Sequence, residues 1–217
     1  MSIAKAKWKL AQWAEIRWWK NYLHDKDTDT YLAWKKDYWK GVLAEIESVV
    51  SLPKSGKAAD IGCGPTGMFM NLSNFEVTAV DPLLDAYAAN LKQFNKAWYA
   101  NVTFVTKPME ELTYDGVFDL LFCMNAINHV KELEKSYAIL SKALKSGGYL
   151  VISIDAHNHS FYKGLFRLIP GDILHPHQYD LAEYEGFLTR NGFEVLHTFC
   201  KKKEHFFNHY IQLARKK

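Results

Sequence analysis

Two hydrophobic periodicities divide this chain. In the first fifty residues, apolar side chains recur three and four apart, at Trp18 and Tyr22 and again at Tyr31, Trp34, Tyr38 and Val42. That spacing predicts two helices, split by the polar stretch 24–29. Pro53, Ser55 and Gly56 then make a turn. From Lys57 onward short apolar runs alternate with helical patterns. Strands are predicted over 57–61, 76–80, 102–105, 118–124 and 149–154, the fourth reading as buried on both faces. A helix is predicted over 84–97, with Pro82 near its first turn. A second follows Asn128, which is read as its cap, with Leu133, Tyr137, Leu140 and Leu144 along one side and Gly147-Gly148 after it. Asp180 and Glu183 stand three apart, as a capping box requires, and Gly192 follows that helix. Two strands, 193–199 and 206–213, end the chain. Strand–helix alternation predicts a parallel sheet covered on both faces, the terminal pair adding antiparallel strands.

The 217 residues suit one α/β domain carrying an extension. We divide them into a helical extension or lid over 1–52 and a ligand-binding domain over 53–217. Six of the seven tryptophans lie in the extension: Trp8, Trp13, Trp18, Trp19, Trp34 and Trp39. Net charge is only +3 and the basic residues are dispersed, so nucleic acid is not an expected partner. No run is long and apolar enough for a membrane span, and the N-terminus lacks the apolar core of a signal peptide. Three cysteines (Cys63, Cys123 and Cys200) without metal-ligand spacing suggest reduced thiols in the cytoplasm.

The chemistry concentrates after the first strand. Gly62-Cys63-Gly64-Pro65-Thr66-Gly67 has the spacing G-x-G-x-x-G, read as lying between a strand and a helix. Such a turn lets backbone approach a ligand near a helix N-terminus. Asp81, nineteen residues past Gly62, ends the second strand, where a carboxylate can accept both hydroxyls of a ribose. These features narrow the ligand to an adenosine cofactor without choosing between NAD and S-adenosylmethionine. Asp60, two positions before Gly62, chooses: a diphosphate repels a carboxylate there, whereas a sulfonium carrying an amino group tolerates it.

The segment 59–65 (Ala-Asp-Ile-Gly-Cys-Gly-Pro) resembles the first motif of class I S-adenosylmethionine-dependent methyltransferases. Residues 118–125 resemble their fourth-strand motif, and 144–150 the turn into their fifth strand. The resemblance covers roughly residues 55–200 and is nearest the methyltransferase type 11 group of small-molecule enzymes. It implies a Rossmann-like, doubly wound α/β sheet, mostly parallel with an antiparallel C-terminal strand, plus the N-terminal helical extension. It implies S-adenosyl-L-methionine as cofactor, with Asp60, Gly62, Cys63 and Gly64 around its methionine half and Asp81 on the ribose. Met109 and Glu110 would lie by the adenine, and Met124 and Asn125 would close over the methionine and face the substrate. The adenine loop commonly reads Gly-Asp-Ala-Glu but here reads Lys107-Pro108-Met109-Glu110, so backbone and Met109 packing would have to serve.

The implied reaction is direct displacement of the methyl group by an O, N, C or S nucleophile of a small molecule, aromatic or hydrophobic in view of the tryptophans. Where the nucleophile is a hydroxyl, a base is wanted; His177, His157 and His129 are the candidates. Trp18, Trp19, Tyr22 and Tyr179 are candidates for the substrate pocket, with His177 facing the methyl beside an N-terminal aromatic. His157/His159 and His175/His177 lack the spacing of a metal site, and no metal is expected. Asp119 reads as a structural anchor. The competing classes are a non-catalytic module on the same fold and an NAD-dependent oxidoreductase.

Overall fold

A computed structural model describes residues 3–158 and 179–217, with side chains described from residue 12. Helices α1 (Ile3–Leu23) and α2 (Thr28–Glu47) come first. Asp27 caps α2, its carboxylate accepting the Thr30 N–H at 2.9 Å. The strands are β1 (Gly56–Ile61), β2 (Phe75–Val80), β3 (Val102–Val105), β4 (Phe118–Cys123), β5 (Leu144–His157), β6 (Phe193–Lys203) and β7 (Phe207–Lys216). Helices α3 (Leu84–Asn90), α4 (Leu133–Ala143) and α5 (Leu181–Arg190) fall between them.

One seven-stranded sheet results, in the order β3-β2-β1-β4-β5-β7-β6. The first five strands run parallel; β7 lies antiparallel to both β5 and β6. The doubly wound, mostly parallel sheet is therefore as anticipated, with β7 as its reversed strand. Both faces are buried because residues of alternate parity along a strand serve different layers. Leu120 and Phe122 of β4 join a core with α2, α3 and the 68–72 segment, while Leu121 and Cys123 join one with α4 and α5. Tyr31, Trp39, Val42 and Ile46 of α2 belong to the first of these cores, so the extension and the sheet share it.

The α5 capping box forms as its spacing required: Asp180 Oδ1 accepts the Glu183 N–H at 3.0 Å and Glu183 Oε2 accepts the Asp180 N–H at 2.9 Å. Asp119 is the anchor it was read to be, accepting the Lys57 N–H at 2.9 Å and pairing with Lys145 at 2.6 Å. Four expectations are corrected. No α-helix follows the glycine-rich turn; a single 3-10 turn, Met68–Asn71, takes its place. The helix from residue 84 stops at Asn90 rather than reaching 97, with a separate 3-10 turn at Lys96–Trp98. Asn128 does not cap α4, which begins after Glu132; it sits in a 3-10 turn, and its amide donates to the Asp155 carbonyl (3.1 Å) and the Tyr184 hydroxyl (3.2 Å). β5 also runs well beyond 149–154, because β7 pairs with it continuously from Tyr149 to His157.

Candidate active site

The glycine-rich turn crosses the carboxyl end of β1, where β2 and β4 lie on either side and the order of connection reverses. Gly62 (φ +70°) and Gly64 (φ +58°) occupy left-handed backbone that other residues rarely adopt. At Gly62 there is also no room: a Cβ would stand 2.2 Å from the Ala126 methyl, so the β4 loop rests directly on the turn. The N–H groups of Gly62 and Cys63 both donate to the Val80 carbonyl, at 2.7 and 3.1 Å. The Gly64 N–H donates to Asp81 Oδ2 at 3.0 Å. The turn thus spends its donors on the end of β2.

Two helix aromatics hold the turn from behind. Trp39 of α2 donates its indole N–H to the Thr66 carbonyl at 2.8 Å, and the Tyr31 hydroxyl lies 3.3 Å from Thr66 Oγ1. Neither was singled out among the site residues from sequence. Their helical spacing announced only a buried stripe, and the partner lies 27 or more residues away.

Asp60 ends up 1% exposed beneath the turn. Its Oδ2 accepts the Phe69 N–H at 2.9 Å, but Oδ1 is buried with no hydrogen-bond partner. Burial pushes its carboxyl up to about 7, against the backbone donors Phe69 and Met68 and nearby Lys35. Lys35 itself is lowered to about 8 by burial, its ammonium lying over the Trp39, Tyr38 and Trp34 rings. Asp81, 6% exposed, is likewise raised to about 7 by burial and by the neighbouring Glu15 carboxylate. Its Oδ1 accepts the Leu83 N–H at 2.8 Å. Glu15 reaches this corner from α1 and accepts the Tyr87 hydroxyl at 3.0 Å. Cys63 is buried and its thiol raised well above normal by burial, with no feature of a nucleophile. Three acids around one turn make a strongly cation-seeking recess.

Of the predicted adenine pair, Met109 is buried in the α4-side core with Val80 and Val130, and Glu110 accepts the Lys131 N–H at 2.8 Å. Met124 is buried at the end of β4. Asn125 follows it at φ +54°, the one non-glycine residue with positive φ among those described. Its N–H donates to Ser153 Oγ at 2.6 Å and its Oδ1 accepts that hydroxyl at 3.0 Å, so a hydrogen-bonded clasp holds the unfavourable backbone.

The predicted substrate residues do not gather at one place. Trp18, Trp19 and Tyr22 cluster on α1, with Trp19 against Tyr87 and 3.8 Å from where a Gly64 Cβ would stand, on the Asp81 side of the turn. Tyr179 packs on Tyr184 and Phe187 of α5. His129 is exposed at the end of its 3-10 turn. His157 is buried, its ring 4.3 Å from that of Phe207 and its backbone N–H donating to the Tyr179 carbonyl. His177, with His159 and His175, lies outside the described residues.

On the other side of Asn125 from the turn is a cavity of about 440 Å³. Asn125, Asn128, Asp155 and His209 line it, with Phe207 and the Lys202–Glu204 ion pair completing the described wall. Asp155 and His209 are cross-strand partners on β5 and β7, and His209 Nδ1 lies 2.8 Å from Asp155 Oδ1. The glycine-rich recess and this cavity therefore meet at the residues ending β4.

Comparison with known proteins agrees with this arrangement. Residues 59–152, from within β1 to within β5, match the family model described as "Methyltransferase domain". The chain is 28% identical over 151 residues to a ubiquinone biosynthesis O-methyltransferase of Rickettsia bellii, covering 62% of this chain but only 61% of that relative. Among solved structures it resembles the 1,6-didemethyltoxoflavin-N1-methyltransferase of Burkholderia thailandensis, solved with 1,6-didemethyltoxoflavin and S-adenosylhomocysteine (TM-score 0.64, 17% identity, 98% of this chain and 88% of that one). It also resembles phosphoethanolamine N-methyltransferase 2 of Haemonchus contortus, solved with S-adenosyl-L-methionine (TM-score 0.65, 17% identity, 91% of this chain and 59% of that one). At such identities the structures establish the shared fold.

Proposed function

We propose that the chain is an S-adenosylmethionine-dependent methyltransferase acting on a small-molecule nucleophile. The observation that carries the reading is the Asp60 carboxylate, whose buried Oδ1 has no partner within the protein. A buried acceptor in that state calls for a donor from a ligand. The cofactor's methionine half carries an ammonium beside its carboxylate, and its sulfonium adds a second positive charge; the two cations suit a recess walled by Asp60, Asp81 and Glu15. Asp81 keeps acceptor capacity for ribose hydroxyls beyond the two N–H bonds it already takes. A dinucleotide fits poorly. Its diphosphate would meet a turn whose Gly62, Cys63 and Gly64 N–H groups are already taken, with only a 3-10 turn behind it and buried carboxylates alongside.

When bound, the cofactor supplies an activated methyl group on a sulfonium. The protein's work is to hold it, to orient the acceptor and to exclude water. Asp60 and the turn of Gly62, Cys63 and Gly64 would hold the methionine half, and Asp81 the ribose. Met109 and Glu110 would border the adenine, and Met124 with Asn125 would cover the methionine. Residues 1–52 serve as the helical cover over 53–217, with Trp18, Trp19 and Tyr22 walling the ribose side of the site; Tyr179 and the histidines at 129 and 157 stay with the substrate side. The relatives named as O-methyltransferases support transfer to a small molecule. Three free thiols fit a cytoplasmic setting, and among the described residues no helix is long and apolar enough to cross a membrane.

Calorimetric titration with S-adenosylhomocysteine, and separately with NAD, tests the reading. The first should bind and the second should not. Asp81→Ala should weaken S-adenosylhomocysteine by about 1.5–3 kcal/mol through the loss of charge-assisted bonds. Binding of NAD alone, or full affinity in the variant, would overturn it.

A further inference from the structure

We propose that His209, held by Asp155, is the general base of this chain and that the methyl acceptor is a phenolic hydroxyl. The assignment rests on the methyl-transfer reading above and goes beyond it by naming the base and the attacking atom. The pair was built by sheet register: β7 returns antiparallel between β5 and β6, setting His209 directly beside Asp155 on one side and Lys202 on the other. With Asp155 Oδ1 at 2.8 Å, Nδ1 carries the proton and donates to the carboxylate, which leaves the Nε2 lone pair as the acceptor. The histidine side chain is 19% exposed and its wall of the cavity faces Asn125, the strained residue whose loop abuts the glycine turn. The base thus stands on the acceptor side of the residues that separate cavity from cofactor recess.

The chemistry follows from that tautomer. An amine or thiolate acceptor needs no base in the displacement, whereas a hydroxyl must shed its proton as oxygen takes the methyl. A neutral imidazole takes the proton of a phenol, acidic near pKa ~10, far more readily than that of an aliphatic alcohol. In the step, a lone pair on the phenol oxygen forms the O–CH3 bond and the C–S bond breaks with its electrons going to sulfur. The O–H proton passes to His209 Nε2. Asp155 stabilises the imidazolium until it releases that proton to water. Phe207, whose ring borders the cavity, suits an aromatic acceptor. Among the described residues, the other charged or titratable groups facing the pair include Lys202 and Glu204, joined to each other, and Tyr184 of α5 behind Asp155.

Histidine side-chain 15N spectra of the full chain, saturated with S-adenosylhomocysteine at pH 8, test the assignment without a turnover assay. His209 should show a protonated Nδ1 and an unprotonated Nε2, and catechol should shift the Nε2 resonance while aniline leaves it in place. In parallel, transfer of labelled methyl from S-adenosylmethionine to catechol should fall about 100-fold in His209→Gln, with S-adenosylhomocysteine affinity unchanged. Asp155→Asn, a positioning variant, should lower kcat more than KM and move the pH–rate profile to lower pH, with Asp155→Glu recovering part of the rate. A proton on Nε2, or an Nε2 resonance that catechol leaves unmoved, would overturn the assignment while leaving the proposed function standing. Failure of the wild-type chain to bind S-adenosylhomocysteine would overturn both.

Discussion

Replacing Asp60 by asparagine should raise the stability of the ligand-free protein at alkaline pH while weakening cofactor binding. The substitution keeps size and shape, and the Asn oxygen can still take the Phe69 N–H that Oδ2 accepts at 2.9 Å. What changes is charge. The carboxyl is raised from 3.8 to about 7 by burial. A carboxyl whose folded value exceeds its unfolded one stabilises the fold fully below pH ~4 and loses that contribution as pH rises through ~7. At pH 8.5 the wild type therefore bears the cost of a buried anion. Three units at 1.36 kcal/mol each give an upper bound of about 4 kcal/mol. Against it stands an asparagine N–H2 left without an acceptor where Oδ1 was, about 1–3 kcal/mol. The balance is a gain of about 1–3 kcal/mol at pH 8.5 and none, or a small loss, at pH 5. Binding moves the other way: without the carboxylate the ammonium loses a charge-assisted partner, about 1.5–3 kcal/mol, or roughly ten- to a hundred-fold in Kd. Urea unfolding at pH 5 and pH 8.5, with S-adenosylhomocysteine calorimetry on the same samples, measures both. A variant less stable than wild type at pH 8.5, or one with wild-type affinity, would refute the argument that Asp60 is a strained acceptor kept for the ligand.

Gly62→Ala meets both the Ala126 methyl and a left-handed backbone, so it should cost about 2 kcal/mol or more; an unchanged urea midpoint would contradict the close approach of the β4 loop. Trp39→Phe removes the N–H that serves the Thr66 carbonyl and shrinks a side chain 3% exposed, which should cost about 2–4 kcal/mol and loosen cofactor binding several-fold in the same titration. Stability loss without any effect on affinity would show that α2 supports the fold but not the turn.

Much of this protein was legible in one dimension because its causes are local or periodic. The run Leu120–Met124 reads as a strand buried on both faces, since five consecutive apolar residues between short turns fit such a strand. Gly62, Gly64, Asp60 and Asp81 share a site because a strand, a tight turn and the next parallel strand leave them no other arrangement. The Asp180–Glu183 box was readable because both bonds close within one helical turn.

Tertiary structure decided the rest wherever the partner was distant or the local preference weak. The stretch after Gly67 could have wound an α-helix; instead Met68, Phe69 and Met70 are drawn into the core beneath α2 and only a 3-10 turn survives. Asn128 had the chemistry of a cap, yet the Asp155 carbonyl and the Tyr184 hydroxyl, brought close by β5 and α5, took its amide. The tryptophan spacing showed that α2 buries a stripe, but the carbonyl that Trp39 serves was set by how α2 lies on the sheet. Asp155 and His209 stand 54 residues apart with nothing between them that foretells contact. Only the register of β7 against β5 joins them, and because side chains alternate along a strand, a slip of one residue would have turned His209 to the opposite face.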